Sequence, residues 1–148
     1  MTPLRVVVGV PEADGRRLLA EAGLTSEDLA PQAFADFAGC YEGARLVGVA
    51  GLERHGTRGL LRSLAVAEDA RGRGYGVLLV NAVERMARDA GLEELWLLTE
   101  TAMGFFSALD YDLVLRERVP AAIRATTQFS DLCPDSAICM MRPLAPAA

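Results

Sequence analysis

The sequence contains no lysine, and all 15 basic residues among its 148 residues are arginine. The absence of lysine excludes Schiff-base chemistry on a lysine amine, and it excludes the Walker A loop, which needs a lysine beside the nucleotide phosphates. The chain has one histidine, His55, so it cannot build a site from several histidine ligands. We therefore predict that the protein uses no metal ion.

Cysteine is scarce, and its spacing suits neither a disulfide framework nor a zinc cage. Cys40, Cys133 and Cys139 are an odd number and form no CxxC pair. We interpret them as small buried side chains in a reducing compartment. The sequence has no signal peptide and no stretch of ~20 apolar residues. We therefore expect a cytoplasmic protein without a membrane partner.

Composition and charge narrow the class of protein. Hydrophobic residues make up 51% and charged residues 24% of the chain, a globular balance that excludes disorder and fibres. The net charge of −5 would be repelled by a phosphate backbone, so we expect no nucleic-acid partner. The length predicts a single domain over residues 1–148.

Hydrophobic patterns predict the element order β-α-α-β-β-β-α-β-α-β-β, a mixed α/β (α+β) sheet with helices on its faces. The predicted strands are Leu4–Val10, Ala38–Tyr41, Arg45–Glu53, Leu60–Val66, Glu94–Thr99, Tyr111–Arg118 and Ala137–Leu144. The predicted helices start at Pro11, span Thr25–Leu29, follow Gly76 up to Gly91, span Thr101–Leu109, and make one turn at Pro120–Thr126. Pro31–Ala35 is predicted to be a connector.

A glycine-rich turn between a strand and a long helix is the most informative segment. Free backbone N–H groups and the positive end of the helix make such a turn an anion site. Gly72, Gly74 and Gly76 allow a ligand close to the backbone, and Arg71 and Arg73 add positive charge. The glycine spacing differs from the G-x-G-x-x-G of dinucleotide-binding folds and suits the pyrophosphate of coenzyme A. The alternative is a glycine-rich loop with solvated arginines.

Two motifs resemble those of the GNAT superfamily of N-acetyltransferases. The first is Leu61-x-x-Leu64-x-Val66-x4-Arg71-Gly72-Arg73-Gly74-Tyr75-Gly76, and the second is Thr99-x-x-Ala102-x-x-Phe105-Phe106-x4-Tyr111. The resemblance implies a mostly antiparallel sheet with splayed central strands and helices on both faces. It also implies an enzyme that transfers an acetyl group from acetyl-CoA to an amine.

Four further stretches resemble the arsenic-resistance N-acetyltransferase subgroup, and Leu97-Leu98-Thr99 and Phe105-Phe106 also resemble the acetylating domain of amino-acid N-acetyltransferases. The four stretches are Gly48–Glu53, Gly59–Val66, Leu97–Ala102 and Leu132–Ala137. This narrower resemblance implies a small amino-acid-like acceptor, with an arsenic-containing amine among the candidates. Analogy with such enzymes makes a homodimer a candidate state.

The resemblance also implies roles for residues of the coenzyme site. The backbone of Leu64, Ala65 and Val66 would pair with the pantetheine arm like an added strand, and an N–H near Leu64 or Ala65 would polarise the thioester carbonyl. The N–H groups of the turn would hold the pyrophosphate, through Arg71, Gly72, Arg73, Gly74, Tyr75 and Gly76. The other wall of the coenzyme groove would come from Thr99, Ala102, Phe105 and Phe106.

The sequence departs from the family pattern at four positions. Thr99 replaces an asparagine, Glu68 replaces a proline, and Asp110 replaces a glycine, which Asp tolerates because it adopts left-handed conformations more readily than most residues. Phe106 stands where the family has the tyrosine that protonates the thiolate. The general acid would therefore be Tyr111 or water, or the thiolate would leave unassisted.

The acceptor amine must lose a proton, and a carboxylate is the simplest base. Glu53 and Glu100 are the candidates, although each could be a solvated charge at a strand end. Arg62 lies inside an apolar strand and needs a partner. It could pair with either glutamate, or it could bind a substrate carboxylate in bidentate fashion.

Ser63 and Thr101 could add hydrogen bonds to the acceptor. We expect His55, between Arg54 and Gly56, to lie in a surface turn.

Two alternatives to an enzyme follow from particular residues. Phe106, and the lack of a glutamate in the strand Leu60–Val66, favour a non-catalytic acyl-CoA-binding module. The three cysteines would allow an arsenite-binding protein, although Cys40 is far from Cys133 and Cys139 in sequence.

Overall fold

A computed structural model describes residues 3–129 and 137–145. Its strands are β1 (Leu4–Val8), β2 (Phe37–Glu42), β3 (Arg45–His55), β4 (Arg58–Val66), β5 (Glu94–Thr99), β6 (Asp112–Val114) and β7 (Ile138–Pro143). Its helices are α1 (Glu12–Glu21), α2 (Tyr75–Asp89), α3 (Met103–Ala108) and α4 (Ala121–Arg124). Short 3₁₀ segments are Pro31–Asp36, Glu68–Ala70 and Arg116–Arg118. No helix within these described ranges has the length and apolar character needed to cross a membrane.

The seven strands form one sheet in the order β1-β2-β3-β4-β5-β7-β6. Strands β4 and β5 run parallel, whereas the pairs β1–β2, β2–β3, β5–β7 and β6–β7 are antiparallel. The predicted mixed, mostly antiparallel sheet is therefore confirmed.

The packing of the chain divides it into two compact units. The first contains the residues up to Leu52 together with Ser63–Met86, and the second contains Glu53–Arg62 together with the residues from Ala87 onward. Strands β3 and β4 therefore contribute residues to both units. The single domain over residues 1–148 stays a prediction.

The core of the first unit forms between α1 and strands β2 and β3. Leu18 and Leu19 of α1 are buried in one cluster with Phe34 and Phe37, whose ring centroids lie 4.8 Å apart. Gly48 of β3 lets α2 approach closely, because a Cβ there would lie 2.9 Å from Cδ1 of Leu79. The sheet therefore fixes the position of α2, which the glycine-rich turn begins.

The second unit has its own core around β5 and α4. Leu60, Trp96, Val119, Ile123 and Cys139 form a buried cluster. The parallel pairing of β4 with β5 runs from Arg58 opposite Glu94 to Leu60 opposite Trp96. Among the described residues of this unit the parallel pairing ends there, although β5 continues to Thr99.

The helix predicted at Thr25–Leu29 is wrong, because a side chain from α1 competes for its carbonyl groups. Arg16 donates from Nη1 to the carbonyl oxygen of Ser26 at 2.9 Å and from Nη2 to that of Leu29 at 2.7 Å. The Thr25 hydroxyl accepts from the N–H of Glu27 at 3.3 Å and so closes a local turn. The predicted connector Pro31–Ala35 is instead part of the 3₁₀ segment Pro31–Asp36.

Three smaller predictions are also corrected. Pro11 is the N-cap of α1 and not its first helical residue. The strand predicted at Tyr111–Arg118 is limited to β6, after which Arg116 begins a 3₁₀ turn and donates to the carbonyl oxygen of Ala137 at 2.9 Å. His55 ends β3 and does not lie in a turn.

The backbone of β4 is irregular at Ser63, which is left-handed with φ at +58°. A left-handed residue inside a strand breaks the two-residue period of side-chain direction. Before Ser63, Leu60, Leu61 and Arg62 are all buried, as in a strand that is covered on both faces.

Two helical glycines offer a matched test of the packing of α1. Replacement of glycine by alanine inside a helix stabilises by about 1 kcal/mol from helix propensity. At Gly15 the new Cβ would lie 2.6 Å from the Phe34 ring, and we expect this overpacking to cost about 1–3 kcal/mol. Gly15→Ala should therefore lower the free energy of unfolding in urea, whereas Gly104→Ala, whose Cβ would meet no atom within 4 Å, should raise it. Equal effects of the two variants would contradict this packing.

Candidate active site

The turn between β4 and α2 has the backbone conformation that its glycines allow. Gly72 and Gly74 have φ angles of +80° and +82°, which L side chains rarely adopt. A Cβ at either position would meet no heavy atom within 4 Å, so the space beside this backbone is open. Nε of Arg71 donates to the carbonyl oxygen of Val66 at 3.2 Å and ties the turn to the end of β4.

The start of α2 presents an electrostatic environment for an anion. The first N–H groups of an α-helix have no partner within the helix, and the first such bond here runs from Leu78 N–H to the Gly74 carbonyl oxygen at 3.3 Å. The first turn of α2 contains no acidic residue that would oppose an anion. The free donors, the helix dipole and the open backbone therefore fit a pyrophosphate group.

The hairpin between β2 and β3 holds this turn through two carboxylates. Glu42 accepts at Oε2 from Nη1 of Arg73 at 2.7 Å and from the hydroxyl of Tyr75 at 2.9 Å. Arg45 donates from both terminal nitrogens to Asp69, each at 2.9 Å. Sequence analysis missed Glu42, which carries no local signal beyond its place before the hairpin turn.

These contacts also shift the proton affinities of the groups involved. The hydrogen bond from Arg45 holds the pKa of Asp69 below its ordinary value. The hydrogen bond with Tyr75 and the charge of Glu42 raise the pKa of Arg73. Both groups therefore keep their charges at neutral pH.

The end of β4 presents alternating faces beyond the left-handed Ser63. Ala65 is buried in the core of the first unit, whereas Leu64 and Val66 on either side of it are half-buried. The N–H of Ala67 donates to the carbonyl oxygen of Val47 at 2.8 Å. Residues 64–66, which are predicted to pair with the pantetheine arm, thus lie at the end of β4, shortly before the glycine-rich turn.

Arg62, Glu53 and His55 form a connected cluster in the second unit. Nη1 of Arg62 lies 2.7 Å from Oε2 of Glu53, and the Arg62 side chain is only 2% exposed. Nε2 of His55 lies 3.2 Å from Oε1 of the same carboxylate, which is 28% exposed. The predicted pairing of Arg62 with Glu53 is therefore present. Sequence analysis missed His55 as a neighbour of Glu53, although the alternation of β3 places the two on one face.

The segment that follows β5 is organised by its own hydrogen bonds. The Thr99 hydroxyl oxygen accepts from the N–H of Ala102 at 3.0 Å, and the Ala102 carbonyl oxygen accepts from the N–H of Phe106 at 3.1 Å. Thr99 in the asparagine position therefore supports the start of α3. Glu100 and Thr101 are exposed between these residues.

Aromatic packing determines the environment of Tyr111. Its ring lies edge-on to Phe106 with centroids 5.6 Å apart, and Phe106 packs in the same way on Phe105 at 5.0 Å. Tyr111 is 2% exposed, which favours a structural role over contact with a leaving group. Asp110 has a φ of +73°, so the predicted left-handed conformation at this position is confirmed.

The described cysteines are in surroundings that disfavour reaction. Cys40 and Cys139 are buried, and burial raises the pKa of Cys40 to about 11. Within residues 3–129 and 137–145, no group of three His, Cys, Asp or Glu side chains could hold a metal ion. Cys133 lies outside the described residues, as does most of the stretch Leu132–Ala137.

Comparison with known proteins relates this chain to N-acetyltransferases. A stretch of 63 residues is 38% identical to an uncharacterised N-acetyltransferase of Chlorobaculum tepidum, covering 43% of this chain and 40% of that protein. The model of the acetyltransferase (GNAT) family matches residues 11–111. This chain belongs to the GNAT acetyltransferase family, whose members use acetyl-CoA. The matched stretch thus spans well under half of the curated relative.

Solved structures share the fold at low sequence identity. N-acetylglutamate synthase from Neisseria gonorrhoeae, complexed with coenzyme A and N-acetyl-glutamate, matches with a TM-score of 0.83 and 18% identity over 98% of this chain and 36% of that chain. Rv2747 from Mycobacterium tuberculosis, in complex with CoA, matches with a TM-score of 0.79 and 18% identity over 95% of this chain and 99% of that chain. These likenesses confirm the predicted GNAT architecture.

The buried guanidinium of Arg62 generates a prediction about stability. Glu53→Gln puts a neutral amide in place of the carboxylate that contacts buried Arg62 at 2.7 Å, and we expect the free energy of unfolding to fall by about 1.5–3 kcal/mol. Glu94→Gln is the matched control, because Glu94 pairs with Arg58 at 3.0 Å and both side chains are about one-third exposed. The control should change stability by less than about 1 kcal/mol. Urea unfolding at neutral pH measures both, and a control loss as large as that of Glu53→Gln would contradict the assignment.

Proposed function

We propose that the protein is a cytoplasmic acetyl-CoA-dependent N-acetyltransferase that acts on the amine of a small amino-acid-like substrate. The observation that carries this proposal is the open, left-handed glycine turn at the start of α2. Family membership supports the reaction class, and the acceptor is inferred from the sequence resemblance to amino-acid N-acetyltransferases. The solved N-acetylglutamate synthase complexed with N-acetyl-glutamate supports the same class of acceptor.

The residues of the first unit would bind the coenzyme, which supplies the acetyl thioester. The N–H groups of residues 71–76 would donate to the pyrophosphate, and Arg71 and Arg73 would add charge. The backbone of residues 64–66 would pair with the pantetheine arm. An N–H near Leu64 or Ala65 would polarise the thioester carbonyl, a contribution of about 3 kcal/mol for such a donor. In the second unit, Thr99, Ala102, Phe105 and Phe106 are the proposed coenzyme contacts.

Glu53 is the proposed base that takes the proton of the acceptor amine, directly or through a water molecule. Arg62 fixes one oxygen of its carboxylate, and His55 contacts the other. Each carboxylate oxygen has two lone pairs, so both contacts leave capacity to accept a proton. Glu100, which is exposed directly after β5, is the second candidate for the base.

The second proton transfer concerns the thiolate that leaves. Phe106 cannot donate a proton, and the burial of Tyr111 favours its role as a packing residue. A thiol of pKa about 8.5 is a tolerable leaving group without a dedicated acid. We therefore propose that water protonates the thiolate, with Tyr111 as the alternative acid.

The acceptor contacts are proposed from the same part of the sequence. Arg62 is buried on Glu53, so we assign it first to positioning that carboxylate. Bidentate binding of a substrate carboxylate is the second role that we propose for Arg62. Ser63 and Thr101 would add hydrogen bonds. An arsenic-containing amine and a homodimeric state are further parts of this proposal, both supported by resemblance alone.

A non-catalytic acyl-CoA-binding module is the second candidate function, and Phe106 is the observation that favours it. The third hypothesis, an arsenite-binding protein, is disfavoured by the burial of Cys40 and Cys139.

Substitutions of two glycines at opposite ends of α2 provide a matched test of coenzyme binding. Gly74 precedes α2 and Gly91 follows it, with φ angles of +82° and +77°. Alanine should strain either position by about 1–2 kcal/mol, but only Gly74→Ala alters the pyrophosphate donors. We expect Gly74→Ala to weaken CoA binding at least about tenfold in calorimetry, through the loss of charge-assisted hydrogen bonds. Gly91→Ala should bind like the wild type, and equal weakening by both variants would count against the site.

Turnover is tested by a thiol-release assay with acetyl-CoA and a panel of amino acids. We expect Glu53→Gln to lower kcat by about 10²–10⁴-fold, the usual contribution of a general base. KM for acetyl-CoA should stay unchanged, and Glu100→Gln should retain activity. Tight CoA binding without turnover on any amine would favour the non-catalytic module. A larger loss with Glu100→Gln than with Glu53→Gln would reassign the base.

A further inference from the structure

A carboxylate of strand β2 contacts the side chain of Arg73 in the glycine-rich turn, where we propose that the pyrophosphate binds. Glu42 ends β2, and its Oε2 atom lies 2.7 Å from Nη1 of Arg73. The same oxygen accepts the hydroxyl hydrogen of Tyr75 at 2.9 Å. One oxygen atom therefore engages two residues of the turn.

The exposure of the two partners shows which of them is free to move. The Arg73 side chain is 51% exposed, whereas Glu42 is 20% exposed and belongs to a paired strand. An exposed arginine can exchange partners at little cost, because exposed ion pairs contribute at most about 1 kcal/mol. Glu42 remains in place when Arg73 moves.

We propose that Glu42 sets the affinity for the coenzyme by competing with its pyrophosphate for Arg73. This inference rests on the proposed function, because it requires the turn to bind CoA. The Glu42 carboxylate neutralises Arg73 in the free protein, so the pyrophosphate gains that charge only after displacing the carboxylate. Glu42 is therefore a residue that tunes binding through Arg73, and it need not touch the coenzyme.

Glu42→Gln separates competition from simple support of the turn. The amide oxygen of glutamine still accepts the Tyr75 hydroxyl hydrogen, so the contact survives while the charge is lost. We expect calorimetry with CoA to show about three- to fivefold tighter binding than the wild type. The gain should shrink at high ionic strength, because salt screens exposed charges. A purely supporting role predicts weaker binding and a lower thermal midpoint.

Two further variants control for general charge effects. Glu68→Gln removes an equal charge from the 3₁₀ segment before the turn. It should bind CoA within about twofold of the wild type, as expected for a screened surface charge. In an Arg73→Gln background, Glu42→Gln should give no gain, because the residue it releases is absent.

The outcomes separate this inference from the proposed function. Wild-type protein that binds no CoA overturns both. Wild-type binding with equal or weaker binding by Glu42→Gln overturns the competition alone. A gain that persists in the Arg73→Gln background, or that Glu68→Gln reproduces, also overturns it.

Discussion

The position of helix α2 against the sheet is the constraint on which the candidate site depends. Gly48 permits the close approach of Leu79, and the paired strands β2 and β3 hold Gly48 in place. The first residues of α2 consequently have fixed positions after β4. An anion site made of peptide N–H groups works only when those groups point together before the ligand arrives. The same packing that forms the core therefore also forms the site.

Each of the two compact units carries a different part of the proposed chemistry. The first holds the glycine turn with its arginines, which suit a diphosphate. The second holds the Arg62–Glu53–His55 cluster, where a buried cation restricts a carboxylate to one orientation. Such a restriction favours proton transfer, because a base contributes only when its oxygen is correctly placed. In the proposed mechanism, backbone donors serve coenzyme binding, while side chains serve proton transfer.

The sequence predicted features that depend on local chemistry. The turn at Gly72 and Gly74, the end of α2 at Gly91 and the left-handed Asp110 follow from residue type and position, and β5 follows from its apolar run. The helix predicted at Thr25–Leu29 does not form, because Arg16, at least nine residues away in the sequence, donates hydrogen bonds to two of its carbonyl groups. The contact of Glu42 with Arg73 spans 31 residues, and no local pattern encodes it. The left-handed Ser63 was also unpredictable, because serine has no strong preference for that conformation.

The bidentate pair between Arg45 and Asp69 has a consequence for the thermodynamics of ligand binding. It joins the hairpin to the segment that leads into the glycine turn, with two bonds of 2.9 Å. Both side chains are exposed, so the pair itself contributes at most about 1 kcal/mol. Any order that it gives the loop beforehand lowers the conformational entropy that is lost when a ligand binds. Ordering this loop without such a contact would cost more conformational entropy, because glycine loses more backbone freedom than any other residue.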